Sequence, residues 1–187
     1  MARSDVRWGR DLTSPQVARV WSARVFLGLT VTWLATLVAV PFAMAHEVGG
    51  RPATALSAGS YLVGGLICHQ RPTRSFRLWG VQMPVCARCA GLYGGAALGA
   101  VVVGAWPSGH RRAGRIRRDS SRGLLGGERV PALRWVVVGA AVPTGVSVVM
   151  ETLGIVEGSA VIRAVGAIPL GVAVTWVVSL VIRGELA

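Results

Sequence analysis

The sequence predicts an all-α, polytopic transmembrane helix bundle with four spans, a short re-entrant or interfacial helix and a cysteine-bearing outer loop. Hydrophobic residues make up 52% of the 187 residues, and the mean hydropathy is +0.55. Several apolar runs have few or no charges and approach or exceed the roughly 18 residues that indicate a transmembrane helix. All basic residues are Arg, and they are concentrated between these runs, where an excess of Arg marks the cytoplasmic side.

The same composition excludes other classes of protein. The chain is too hydrophobic to be disordered. Its net charge of +12 does not indicate nucleic-acid binding, because the Arg residues separate apolar spans instead of forming one basic face. We therefore expect the lipid bilayer as the partner and no nucleic acid. The sequence leaves the oligomeric state open.

Four apolar segments of a single membrane domain, residues 25–187, are predicted to span the bilayer. The clearest has no charged residue, and the predicted spans in chain order are residues 25–45, 90–106, 135–150 and 164–182. The second span carries glycines at three- to five-residue spacing, a pattern typical of close helix packing. These are Gly91, Gly94, Gly95 and Gly99.

A fifth apolar segment, residues 53–68, is shorter and contains Thr, Ser and Gly. At about 1.5 Å per residue it reaches only about 24 Å, less than the roughly 30 Å hydrocarbon core of a bilayer. It is predicted to be a re-entrant or interfacial helix, although a tilted fifth span is the alternative.

The Arg distribution predicts which side each segment occupies. Residues 1–24 carry five Arg and residues 107–134 carry eight, so both are predicted to be cytoplasmic. An even number of crossings must then separate them, which favours four spans. The basic loop 107–134 is expected to contact anionic lipid headgroups.

Ala43-Met44-Ala45 resembles a signal-peptide cleavage site. The apolar stretch before it exceeds the usual length of about 7–15 residues, so an uncleaved first span is expected.

All three cysteines lie in the predicted outer loop, residues 68–89. Thiolates and imidazole are ligands that zinc prefers, and a Cys-x-x-Cys pair can hold one ion from a single turn. The predicted metal ligands are Cys68, Cys86 and Cys89, with His69 as a possible fourth. Neighbouring residues rarely reach the same ion, which weakens the case for His69.

Two alternatives remain open for these cysteines. Cys86 lies near a helix N-terminus, and Arg88 adds positive charge, so both features favour a reactive thiolate. A thiol–disulfide oxidoreductase using Cys86 and Cys89 with Cys68, and no metal cofactor, is the second hypothesis. A non-catalytic scaffold stabilised by a metal or a disulfide bond is the third.

Charged residues at the ends of the spans are the other candidate functional groups. The predicted topology places Arg88, Glu151 and Arg163 on the same side of the membrane as the cysteines. They are the candidate catalytic or substrate-facing residues. A carboxylate facing lipid is costly, so Glu151 is expected to pair with Arg163 or Arg88, and a purely structural ion pair is the alternative. The loop residues Arg71, Arg74 and Arg77 suit either a phosphate or headgroup contact, or simple solvation.

The segments CHQRPTRSF, from Cys68, and PVCARCAGLYGG, from Pro84, resemble an uncharacterised family of small prokaryotic membrane proteins. That resemblance implies a multi-pass protein of a prokaryotic plasma membrane and no particular activity. Further along the chain, the family has Asp and Gln four residues apart where this sequence resembles it with Ser147 and Glu151, so a carboxylate role there would fall to Glu151. For an enzyme with this site, the expected chemistry is metal-assisted hydrolysis or transfer on a lipid or envelope substrate.

Overall fold

The architecture is a bundle of long helices. The computed structural model describes residues 15–105 and 126–183. Within that part of the chain the helices are α1 (Pro15–Ala45), α2 (Gly50–Ile67), α3 (Ala87–Ala105), α4 (Gly126–Thr152) and α5 (Ala160–Arg183). The all-α prediction is confirmed.

The connection between α2 and α3 contains the only β-structure among the described residues. A short 3-10 helix, Pro72–Arg74, precedes an antiparallel hairpin of β1 (Arg77–Leu78) and β2 (Val81–Gln82). Trp79 and Gly80 form its turn, and both have positive φ angles of 51° and 82°. Such a pair of angles is typical of a tight two-residue hairpin turn, in which glycine is favoured. The connection between α2 and α3 is therefore an ordered segment with its own secondary structure.

Four of the described helices are long and apolar enough to cross a membrane. Their apolar segments are Ala18–Ala45, Ala87–Gly104, Leu133–Thr152 and Ala160–Arg183. They correspond to the four predicted spans. Many of their large apolar side chains are exposed, such as Leu29, Leu98 and Val146, as expected for side chains that face lipid.

The helices extend beyond the predicted spans. α1 begins at Pro15, although the span was predicted from residue 25, and α4 begins at Gly126, inside the predicted basic loop 107–134. Counting apolar residues stops at a charged residue, whereas a helix continues through Arg because its long side chain can reach the membrane surface. Residues 106–125, which hold most of that loop, lie outside the described residues, as do residues 1–14 of the basic N-terminal segment.

The ambiguous segment 53–68 forms α2, one continuous helix of 18 residues. It is not among the four helices that meet the requirements for a span. It starts five residues after α1 ends, and the residue that follows it, Cys68, contacts Cys86 before α3. The structure therefore shows α2 as one uninterrupted helix whose end meets the start of α3.

Glycines on α3 bring that helix into direct contact with the backbone of α5. A Cβ atom at Gly91 would overlap the carbonyl oxygen of Ala164, and one at Gly95 would overlap that of Ile168. Gly99 is also tight, with Cα of Val172 3.2 Å from a Cβ built there. This spacing of four residues is the small-residue pattern that allows two membrane helices to approach closely. The predicted role of the glycines in packing holds for these three, whereas Gly94 faces open space.

A compact apolar cluster fixes the hairpin against the bundle. Leu37 of α1, Met83 and Val85 are almost fully buried together. Trp33 and Tyr93 pack around them, with their rings in an edge-to-face arrangement at 6.1 Å. α1 thus supports the segment that leads into α3, where two of the cysteines lie.

Candidate functional site

The sulfur atoms of Cys68, Cys86 and Cys89 converge, all lying within 4.8 Å of one another. In a tetrahedral zinc site with Zn–S bonds of about 2.3 Å, the sulfur atoms lie about 3.8 Å apart. Closing the present arrangement around an ion therefore requires movements of about 1 Å or less. All three cysteines are free thiols.

Two segments supply these thiols. Cys68 is the residue at which α2 ends: its N–H still donates to the carbonyl of Gly64, while its own backbone is extended. Cys86 accepts the first backbone hydrogen bond of α3, from Ala90, so Cys86 and Cys89 lie one turn apart on the same face. The site is therefore formed where the end of α2 meets the start of α3.

Gln70 fastens these two segments together. Its side-chain amide donates to the carbonyl oxygens of Tyr61, at 2.8 Å, and Pro84, at 2.6 Å. Its own carbonyl accepts a hydrogen bond from the side chain of Gln82 at 2.8 Å, and the Tyr61 hydroxyl donates to the Gln82 carbonyl. Gln70 also has a positive φ of 44°, a conformation that side-chain-bearing residues rarely adopt and that surrounding contacts must maintain.

The sequence analysis assigns no site role to Gln70, Gln82 or Tyr61. The signal for Gln70 was its position two residues after Cys68. Gln82 and Tyr61 carried no local signal, because their partners are 12 and 21 residues away in the chain.

Hydrogen bonds favour a thiolate at this site. The backbone N–H of Cys86 donates to the sulfur of Cys68 at 3.2 Å. A hydrogen bond from the Cys89 thiol is the main cause that lowers the pKa of Cys86 to about 5, although partial burial opposes the shift. Donors directed at sulfur stabilise its charged form, which is the form that binds metals and attacks electrophiles.

An ion-paired group lies beside the cysteines. One oxygen of Glu151 accepts from Nη2 of Arg88 at 2.9 Å and from Nε of Arg163 at 3.0 Å. The side chain of Glu151 is only 10% exposed, and the arginines are 21% and 12% exposed. Sequence reasoning expected Glu151 to pair with one of these arginines, and the structure pairs it with both. The group joins the start of α3, the end of α4 and the start of α5.

A cavity of about 320 Å³ opens over both groups, and we call it the arginine pocket. All three cysteines line it. Its basic lining residues are His69, Arg71, Arg74, Arg88 and Arg163. The pocket can therefore present a metal ion and several guanidinium groups to the same ligand.

The structure distributes the predicted site residues in three ways. Cys68, Cys86 and Cys89 form the thiol cluster, and Arg88, Glu151 and Arg163 form the ion-paired group. His69 lines the pocket but is not part of the group of potential metal ligands found among the described residues. Arg77 is exposed on the hairpin and does not line the pocket, whereas Arg71 and Arg74 do.

Comparison with known proteins gives a family but no activity. Residues 68–177 match the family described as "Predicted membrane protein (DUF2085)". "Uncharacterized protein MJ1492" of Methanocaldococcus jannaschii is 52% identical over 42 residues, which are 22% of this chain and 27% of that protein. The chain thus spans about a quarter of the length of that curated relative. No solved structure matches this chain.

Proposed function

We propose that this chain, which belongs to the DUF2085 family of predicted membrane proteins, binds one metal ion through Cys68, Cys86 and Cys89. The ion that suits this site best is zinc. The observation that carries the proposal is the convergence of three free thiols within 4.8 Å. A thiolate set of this size favours zinc among the common biological metals.

The fourth coordination position is proposed to face the arginine pocket, because the three cysteines line that cavity. Structural zinc sites are closed by four protein ligands, whereas sites that act on substrates keep one position open. A metal bound here would supply Lewis-acid polarisation of a bound water or oxyanion. This supports a role in hydrolysis or transfer on a lipid or envelope substrate over a purely structural one.

The site is proposed to lie outside the cytoplasm of a prokaryotic cell, in its plasma membrane. The ends of the helices that carry Arg88, Glu151 and Arg163 share one end of the bundle. The Arg-rich segments 1–24 and 107–134 favour the cytoplasmic side, which leaves the opposite side for the site.

The first test is metal content together with thiol counting on protein purified in detergent without reductant or chelator. We expect about one zinc per chain by elemental mass spectrometry, since one cluster is present. We also expect all three cysteines to be alkylated after denaturation with a chelator. Absence of metal with a single free thiol would mean a disulfide bond and would favour the thiol–disulfide oxidoreductase.

Single-residue variants separate the ligands from their neighbours. Cys68→Ser, Cys86→Ser and Cys89→Ser should each lose most of the bound zinc. His69→Ala is the control, because His69 lines the pocket outside the thiol group and its loss should leave zinc content unchanged. Loss of zinc in His69→Ala would instead make His69 the fourth ligand and close the site.

A further inference from the structure

We propose that the arginine pocket and an adjoining apolar groove bind one amphiphile, a phosphate-bearing lipid whose phosphate contacts the arginines and whose acyl chain lies along α4 and α5. This inference goes beyond the metal site, because neither the arginines nor the groove residues are metal ligands.

The apolar groove, which we call the α4–α5 groove, has a volume of about 580 Å³. Its walls include Val146 and Met150 of α4 and Val161 and Val165 of α5. No residue of α4's apolar segment, Leu133–Thr152, is fully buried in the described part of the chain. The groove is therefore an apolar surface beside a helix that the described chain covers only in part.

The groove and the arginine pocket meet at the ion-paired group. Glu151 and Ser147 line the groove. Arg88 and Arg163, which donate to them, line the pocket. Lining residues of the two cavities are therefore in hydrogen-bond contact, and the cavities are neighbours within the length of one lipid molecule.

Charge identifies the polar end of the ligand as an anion. Four arginines line the pocket, and Glu151 neutralises one of their charges, which leaves +3. Three thiolates holding a divalent ion add −1, so the pocket stays at +2. Arg71 and Arg74 have no carboxylate partner among the described residues. Guanidinium groups pair with phosphate oxygens through two parallel hydrogen bonds.

One unsatisfied donor supports the same conclusion. Nε of Arg88 is buried and has no hydrogen-bond partner among the described residues. A buried donor without a partner is costly, so such an atom generally has a ligand or water as its partner. Arg88 lines the pocket, which makes an oxyanion bound there a candidate partner for this atom.

The apolar α4–α5 groove beside the arginine pocket favours a lipid phosphate over inorganic phosphate. Inorganic phosphate would use the arginines alone, whereas a lipid would also cover the apolar walls. The pocket also lies where spanning helices end, at the depth of lipid headgroups.

The test measures lipid binding by native mass spectrometry of the whole protein in non-ionic detergent. The probes are dioleoyl phosphatidic acid, dioleoyl phosphatidylcholine, dioleoylglycerol and inorganic phosphate. We expect phosphatidic acid to bind at least about tenfold more tightly than each of the others, since one charge-assisted hydrogen bond is worth about 1.5–3 kcal/mol.

Matched variants test both halves of the site. Arg74→Gln removes a pocket charge, and Arg77→Gln removes one on the neighbouring hairpin outside the pocket. Val165→Trp fills the groove, and Val181→Trp places the same bulk on an equally exposed position of α5. Arg74→Gln and Val165→Trp should each weaken phosphatidic acid binding by about tenfold, and their controls should not.

Several outcomes would overturn the proposal. Equal binding of phosphatidic acid and inorganic phosphate, with no effect of Val165→Trp, would reduce the site to an anion pocket. If dioleoylglycerol bound as tightly as phosphatidic acid, the arginines would have no part in lipid binding. A dimer that Val165→Trp dissociates would show that a second copy covers the groove. In contrast, lipid binding retained in zinc-free Cys86→Ser protein would support the proposal and show that it stands apart from the proposed metal function.

Discussion

Gln70 shows how one neutral side chain can determine the geometry of a charged site. It holds the carbonyls of Tyr61 and Pro84 and so fixes the end of α2 against the start of α3. These two hydrogen bonds of Gln70 help to hold Cys68 close to Cys86. The hydrogen bond from the Cys86 N–H to the Cys68 sulfur is the other contact between them. Residues that orient ligands in this way commonly affect metal affinity as strongly as weak ligands do.

We therefore expect Gln70→Ala to weaken zinc binding by about 10–100-fold while all three thiols remain available. The loss comes from the freedom that Cys68 gains relative to Cys86. Competition with a chromophoric zinc chelator measures the affinity. Thr73→Ala, an exposed change in the same loop, is the control. An unchanged affinity in Gln70→Ala would show that the hydrogen bonds do not position the cysteines.

Glu151 is the second residue with an effect out of proportion to its size. Because it is nearly buried and pairs with two arginines, its neutralisation leaves two poorly solvated positive charges. Breaking a buried ion pair costs up to about 3–5 kcal/mol. Glu151→Gln should therefore lower the free energy of unfolding by a sizeable part of that amount.

A double-mutant cycle tests this explanation. Arg163→Gln removes one of the stranded charges, so the double variant should lose less stability than the sum of the two single variants. Denaturant unfolding in detergent, followed by Trp fluorescence, gives the four free energies of unfolding, for the wild type, the two single variants and the double variant. Strict additivity would mean that Arg163 does not interact with Glu151 in the folded protein.

At the scale of the helices, the α3–α5 contact determines where the site residues meet. Gly91 faces the carbonyl of Ala164, the residue next to Arg163. The same register places Arg163 beside Glu151 and Arg88. A change in the distance between α3 and α5 would therefore move the ion-paired group as well as loosen the bundle.

Gly95→Leu should destabilise the protein by about 1–3 kcal/mol, because its side chain must displace the backbone of α5. Gly94→Leu is the matched control, since a Cβ atom built there meets no described atom within 4 Å. The midpoint of thermal unfolding in detergent measures the difference. Equal midpoints for the two variants would contradict close packing at Gly95.

The sequence predicted the spans well because membrane insertion depends on local hydrophobicity, which apolar runs such as residues 25–45 and 164–182 display directly. It predicted the pairing of Glu151 because a carboxylate at a span end needs a counter-charge. It could not predict the Gln70 bridge or the α4–α5 groove. Both depend on the distance between segments that only the packed helices determine.

At the scale of the whole molecule, the cysteines, the arginine pocket and the ion-paired group share one end of the bundle. Glu157 lies between α4 and α5, next to the site, and is exposed. Ser120 lies in the basic segment that is predicted to be cytoplasmic. These two positions should therefore face opposite sides of the membrane.

A membrane-impermeant maleimide tests this topology. Glu157→Cys should be labelled in intact spheroplasts, and Ser120→Cys only after lysis. Peptide mass spectrometry locates the label, so the native cysteines can stay in place. Labelling of Ser120→Cys in intact spheroplasts would invert the proposed orientation.

The ion-paired group also has a consequence for the order of events during synthesis. Arg88 precedes its carboxylate by 63 residues, since 151 − 88 = 63. At about 5–20 residues per second, the ribosome takes roughly 3–13 s to make that stretch. During this interval Arg88 has no Glu151 to pair with. Because Arg88 lies at the start of α3, we expect water and lipid headgroups to solvate its guanidinium group. The cysteines are therefore synthesised before the counter-charge, and the site is complete only after α4 and α5 have been made.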